Sequence, residues 1–220
     1  MYKFLFKRII DFTCSIVLII LLLPIFLPII IILKLTGEGE VFYFQERIGY
    51  KNKKFKIFKF ATMLKNSSKM GTGSLTLRND PRVLPFGKFL RKTKINELPQ
   101  IFNVLNGSMS LVGPRPQMEV DFLVYQDKIR LEIYDSVPGV TGIGSVFFRD
   151  EELYISNSNN PHKFYKEEIA PVKGELEIWY LNNMSFIVDL KLLVVTFWVV
   201  IFPKSKLLNK WFANVPKIKW

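Results

Sequence analysis

The run KINELPQIFNVLNGSMSLVGPRPQ, residues 94–117, sets an amide beside an acid and ends on an arginine held between two prolines. The amide and acid are Asn96 and Glu97; the arginine is Arg115, between Pro114 and Pro116. Such residue types suit phosphate chemistry. A helix N-terminus offers unpaired N–H groups and a positive dipole end, both favourable to an anion. A carboxylate on that first turn, Glu97, can hold a divalent cation against the phosphate. An arginine is a natural bidentate clamp for phosphate, and two fixed φ angles limit where Arg115 can point. A Pro-Arg-Pro turn alone is more often structural than not. Here it has an acid nearby and a chain with 31 Lys and Arg against 19 acids, net +12.

That excess of positive charge points to nucleic acid, anionic lipid or a phosphorylated substrate as partner. No nucleic-acid motif is present, and a membrane anchor makes that class the weakest of the three. One cysteine, Cys14, excludes a disulfide framework, and a single histidine, His162, argues against a histidine-built zinc site. Catalysis would have to rest on carboxylates, Lys, Arg and a hard cation.

The elements that must position these residues follow from periodicity. Leu98, Ile101, Phe102 and Leu105 recur at helical spacing, and Gly107 suits the left-handed residue that ends such a helix. Asn96 then falls at the N-cap and Pro99 in the first turn. Upstream, VFYFQ and FKIFKF, separated by ERIGYKNKK, predict a β-hairpin. Five lysines fall between Lys51 and Lys59, read as a solvated hairpin face beside anionic lipid. GTGSLTLRN, residues 71–79, reads as a mobile loop, and ISNSNNPHK, residues 155–163, as an exposed loop before a helix starting near Pro161.

Residues 12–33 are uncharged and apolar, interrupted by Pro24 and Pro28. Each proline removes a backbone donor, so a bend or break is expected near the middle. Lys3, Lys7 and Arg8 precede the segment, and Lys34 and the lysine cluster follow it. Basic residues on both flanks favour a re-entrant hairpin on the cytoplasmic side over a kinked spanning helix, which stays open. No small-residue cleavage site follows, so the segment is read as a retained anchor. Late in the chain, FIVDLKLLVVTFWVVIFP, residues 186–203, holds only a short uninterrupted apolar run. With Lys204, Lys206, Lys210, Trp211 and Trp220 after it, this segment is either an interfacial amphipathic helix or a buried core helix. The expected fold is α+β, mainly helical with a short β-hairpin, an N-terminal proline-broken re-entrant membrane helix and interfacial amphipathic helices. Its parts are an anchor over 1–35, a cytoplasmic catalytic domain over 36–185 and a membrane-interface helix and tail over 186–220.

At this point the chain resembles the monotopic bacterial phosphoglycosyl transferases, the initiating sugar transferases of surface-glycan assembly. The resemblance rests on FKRIIDF, FQERIG, FKIFKF, DPRV, FGKFLRKT, NELPQIFNVLNGSMSLVGPRP, PGVTG and NNMSFIVDLKLL. It implies transfer of a phosphosugar from a UDP-sugar to polyprenyl phosphate, with Mg2+ and release of UMP, at the cytoplasmic face of the bacterial inner membrane. It also implies membrane lipids as partners. The family dyad is Asp-Glu, the Asp attacking phosphorus and the Glu assisting the metal. Carried over, the Glu is Glu97 and the phosphate-binding arginine is Arg115, with Lys59, Arg91 and Arg149 at further basic positions. The chain departs from the pattern at the nucleophile, where Asn96 stands. It departs also at Ala61 for a usual Lys or Arg, in GIGSVFFR for a GWAQVNGR-like run, and at Leu23 for a frequent Ser. Three readings of Asn96 follow: transfer by another route, binding of UDP-sugar or polyprenyl phosphate without turnover, or a sequence-level change in an otherwise ordinary enzyme.

Overall fold

The computed structural model describes residues 2–70, 79–203 and 205–216. The loop expected over 71–79 lies almost wholly outside the described residues, as do Lys204 and Trp220. After a π-helical turn, Tyr2–Phe6, one helix, α1, runs from Lys7 to Leu35. At 1.5 Å per residue its 29 residues extend about 43 Å. Pro24 and Pro28 sit inside it, so the expected break is not a gap in helical backbone. Each proline removes one i→i−4 bond, and the bonds of its neighbours carry the helix through.

The predicted hairpin is present as β1, Phe42–Ile48, and β2, Lys54–Phe60, antiparallel with Gln45 opposite Ile57 and Arg47 opposite Phe55. Next come α2, Pro85–Lys92, and a 3-10 segment, Ile95–Gln100, that leads into α3, Ile101–Asn106. Gly107 closes α3 with φ 85°, the left-handed end its type foretold. Two short strands not visible in the sequence pair in parallel: β3, Ser110–Val112, and β4, Gly139–Thr141. Between them lie α4, Glu119–Phe122, and α5, Asp127–Glu132. A Cβ on Gly139 would collide with the backbone of Gly113, which explains the first glycine of PGVTG.

Beyond β4, α6 (Ile143–Phe147) and α7 (Glu151–Ser156) precede α8, Pro161–Phe164. Asn160 caps α8, its side chain accepting from the Lys163 N–H at 3.1 Å. A π turn over Tyr165–Ile169 joins it to α9, Ala170–Asn183. The chain then forms α10, Phe186–Ile201, and α11, Leu207–Trp211.

The main core gathers Ile133, Tyr134, Ile143, Ile169, Leu176, Tyr180, Leu192 and Val195 around α9 and α10. Helix α10 has one buried face and one exposed apolar face, which bears out the core role. Asp189, Leu192, Val195 and Val199 are buried, whereas Ile187, Leu190, Phe197 and Ile201 are exposed.

Helix α1 touches this body at both ends. Near its start, Lys7 pairs with the buried Asp189, which also accepts from Tyr2 at 2.6 Å and Tyr180 at 2.7 Å. The Arg8 guanidinium donates to the Val104 and Leu105 carbonyls at 2.6 and 2.8 Å, satisfying the end of α3. Asp11 accepts the Leu111 N–H at 3.0 Å. Near its other end, Phe26, Ile29 and Leu33 pack with Phe60 and Leu90. Lys7 and Arg8, read from sequence as flanking charges, are therefore docking residues. Most of the remaining surface of α1, including Ile20, Leu21, Leu27 and Ile31, is exposed and apolar.

Candidate functional site

The hairpin, the 3-10 segment and the Pro-Arg-Pro loop converge on one carboxylate. Lys59 Nζ lies 3.3 Å and Arg115 Nη2 3.4 Å from Glu97 Oε1. Both fall on the same oxygen, and Glu97 Oε2 makes no hydrogen bond among the described residues. Of the five hairpin lysines, Lys59 alone turns inward; Lys51, Lys53, Lys54 and Lys56 are exposed.

Each member is placed by neighbours that have little visible in the sequence. Asn103 fixes α3 to β2: its side chain accepts from the Phe58 N–H at 2.9 Å and donates to the Lys56 carbonyl at 2.8 Å. That pairing sets Lys59 against Glu97. The Pro-Arg-Pro loop is held through its backbone. Arg115 N–H donates to Glu177 Oε1 at 3.2 Å, and the Arg115 carbonyl accepts from Tyr134 at 2.9 Å. Gln117 N–H donates to the same Tyr134 hydroxyl at 2.9 Å, and its carbonyl accepts the Ile48 N–H at the end of β1.

Asn96 is not the N-cap expected of it. Lys94, with φ 59°, precedes the helical segment, and Asn96 lies within the 3-10 turn. Only 6% of it is exposed, and its Oδ1 has no hydrogen-bond partner. The left-handed Lys94 starts the turn two residues early, which draws the amide inside. Arg91 and Arg149 are placed elsewhere. Arg91 pairs with Glu152 of α7 at 2.8 Å, and Arg149 donates to the Val199 carbonyl in the last turns of α10.

Burial alone would raise the Glu97 carboxyl; Lys59, Arg115 and Lys94 outweigh it and hold the group well below the usual range. Burial draws Lys59 down to about 8, with Glu97 opposing and Arg47 and Arg115 adding to the fall. A small cleft opens here, lined by Arg47, Ile57, Lys59, Gln100, Arg115 and Pro116. Arg47 lies within the quoted FQERIG motif, but its part in the cleft was not legible until the hairpin register placed it.

Glu177 is the other hidden member. Fully buried on α9, it packs against Gly142 and Gly144, and its Oε2 is unpartnered. Burial pushes its carboxyl up to about 7, against the Arg115 N–H and the charges of Lys173 and Arg115. Between its ordinary value of 4.5 and about 7, the folded chain keeps a proton that the unfolded chain releases. Stability therefore falls as pH rises through that window, by roughly 3 kcal/mol. Glu177→Gln is expected to flatten this slope while still accepting the Arg115 N–H. Melting curves in detergent across the window check it, and a slope equal to wild type rejects the assignment.

A half-buried acid paired with a lysine and an arginine thus lies on a body that carries a long, largely exposed apolar helix. Residues 2–203 match the bacterial sugar transferase family, and the chain belongs to it. It is 34% identical over 190 residues to the uncharacterized sugar transferase EpsL of Bacillus subtilis, covering 86% of this chain and 84% of that one. It is 30% identical over 204 residues to an undecaprenyl-phosphate glucose phosphotransferase of Komagataeibacter xylinus, covering 90% of this chain and 36% of the relative. An undecaprenyl-phosphate galactose phosphotransferase of Salmonella typhimurium is 32% identical over 210 residues, with 89% and 40% covered. The chain thus spans well under half the length of these two phosphotransferases.

Proposed function

We propose that this chain transfers a sugar-1-phosphate from a UDP-sugar to polyprenyl phosphate and releases UMP, as the first membrane step of surface-glycan assembly. The observation that carries this reading is Glu97 held by Lys59 and Arg115, which line a small cleft, on a chain with an apolar anchor. The names of the two phosphotransferases support undecaprenyl phosphate as the acceptor. In the reaction, a bond to the sugar-bearing phosphorus forms as its bond to the UMP oxygen breaks. Lys59 and Arg115 would offset charge on the phosphate oxygens, so the protein's task is positioning and electrostatics.

Mg2+ fits the residues present. No cluster of three or more His, Cys, Asp or Glu occurs among the described residues, but Mg2+ commonly takes one or two carboxylates and completes its shell with phosphates and water. Glu97 would supply its unbonded Oε2, and bound Mg2+ would neutralise charge on the diphosphate. Because cations surround Glu97, the ion would arrive with the nucleotide.

Incubation with a panel of radiolabelled UDP-sugars, polyprenyl phosphate and Mg2+ tests the reading. UMP release with lipid-linked phosphosugar is expected. Donor binding without release across the panel would make the chain a binding homologue instead.

The anchor is proposed to be re-entrant at the cytoplasmic face of the inner membrane, with residues 36–185 as the catalytic domain and residues 186–220 at the membrane interface. Support comes from α1 being docked on one polar body at both its ends. Its exposed apolar surface, with that of α10, would face lipid. In a Cys14→Ser background, cysteines placed at Met1 and Gly39 are expected to label from the same side. Labelling from opposite sides rejects the hairpin.

A further inference from the structure

Arg47 is a cation with no anion. Its Nη2 and Nε donate to Gln45 Oε1 at 2.6 and 3.2 Å, and its Nη1 donates to the Pro116 carbonyl at 3.3 Å. All three bonds go to neutral acceptors, and among the described residues no carboxylate lies within ion-pair distance of it. Alternation along the paired strands puts Gln45, Arg47, Ile57 and Lys59 on one face of the hairpin. This face looks into the cleft that Arg47 shares with Lys59, Arg115, Gln100 and Pro116.

Three cations, Arg47, Lys59 and Arg115, therefore line the cleft, and Glu97 pairs with Lys59 and Arg115 but not with Arg47. Burial disfavours the charge on Arg47 and repulsion from Arg115 adds to it, outweighing Asp121 and Glu97, which favour it. An uncompensated, half-buried guanidinium is costly unless a ligand supplies the missing anion. Its fork is also aimed rather than loose, since Gln45 and the Pro116 carbonyl take the inner N–H groups. The Pro116 bond ties Arg47 to the loop that carries Arg115.

We propose that Arg47 is a binding residue for the diphosphate of a nucleotide donor, shared with Arg115. A guanidinium suits this role because it binds phosphate oxygens bidentately and keeps its charge when desolvated. This identification of the ligand rests on the transferase reading above, whereas the need for an anion rests on Arg47 donating only to neutral acceptors.

Calorimetric titration of the detergent-solubilised full chain with inorganic pyrophosphate, UDP and UMP tests the proposal. Wild type is expected to bind pyrophosphate and UDP. Arg47→Gln should weaken both by roughly 10- to 100-fold, with a smaller loss for UMP. Arg47→Lys, which keeps the charge and loses the fork, should fall between the two. Initial rates should show the KM for the donor rising more than kcat falls; a merely structural role would lower the melting temperature without that split. UDP binding within threefold of wild type in either variant, at an unchanged melting temperature, overturns the proposal, as does a wild type that binds neither pyrophosphate nor UDP. Should Arg47→Gln fail to fold, Arg47→Lys carries the same criterion. Arg47-dependent UDP binding without transfer from any donor would reject the transferase reading and leave this one standing. Normal transfer with Arg47-independent binding would do the reverse.

Discussion

Replacing Glu97 with glutamine is expected to cut formation of lipid-linked phosphosugar by roughly 10²- to 10³-fold, the scale set by loss of one electrostatic group from a reacting site. The side chain keeps its shape, and its amide oxygen can still accept from Lys59 and Arg115. What is lost is the carboxylate that pairs with both Lys59 and Arg115. Two consequences follow, of opposite sign. Without the carboxylate nothing in the cluster attracts a divalent cation, and Lys59, already drawn to about 8, loses the interaction that keeps it protonated. Anion binding, in contrast, has one less negative charge to oppose it. The donor KM should stay level or fall while kcat collapses. That split separates a transition-state role from a folding defect, which would lower active fraction without improving donor affinity. Initial-rate assays over a range of UDP-sugar concentrations check it. A kcat within threefold of wild type would remove Glu97 from the chemistry.

Which parts of this site could be read from the sequence depends on whether the signal was local. The hairpin, the left-handed Gly107 and the start of α8 at Pro161 each rest on a few adjacent residues, and all are present. Glu97, Lys59 and Arg115 come together although they lie in three separate elements, because family motifs marked them individually. Asn96 was misplaced, since a cap depends on the backbone two residues upstream, and Lys94 adopts a left-handed angle that its type does not announce. Glu177 and Tyr134 carried no signal: one is an acid on α9 and the other lies just beyond α5, and only the packed core brings them to the Arg115 backbone. Lys7 and Arg8 show the opposite error. Their charge is plain in the sequence, but burial and carbonyl contacts give it a docking role.

Asn96→Asp is expected to raise turnover at least tenfold, about 1.4 kcal/mol off the barrier, and to create a new partial reaction. A neutral amide is a poor nucleophile toward phosphorus. In the wild-type chain, transfer would instead proceed by attack of the lipid phosphate oxygen on the sugar-bearing phosphorus, with UMP leaving directly. No UMP should then appear until acceptor is added. The substitution is nearly isosteric and the Asn96 Oδ1 accepts no hydrogen bond now, so no native bond to that oxygen is broken. Burial would disfavour the new carboxylate, but the cations beside Glu97 outnumber the acid and favour its charged form. Once ionised, its oxygen could bond to the sugar-bearing phosphorus as the bond to UMP breaks, giving a phosphosugar on the introduced carboxylate and free UMP. A burst of UMP equal to the enzyme concentration, seen without polyprenyl phosphate in the variant and not in wild type, is the expected result. A wild-type burst would mean that another carboxylate, with Glu97 nearest to hand, already serves as nucleophile. No burst and an unchanged or lower rate in the variant would mean that position 96 does not face the reacting phosphorus.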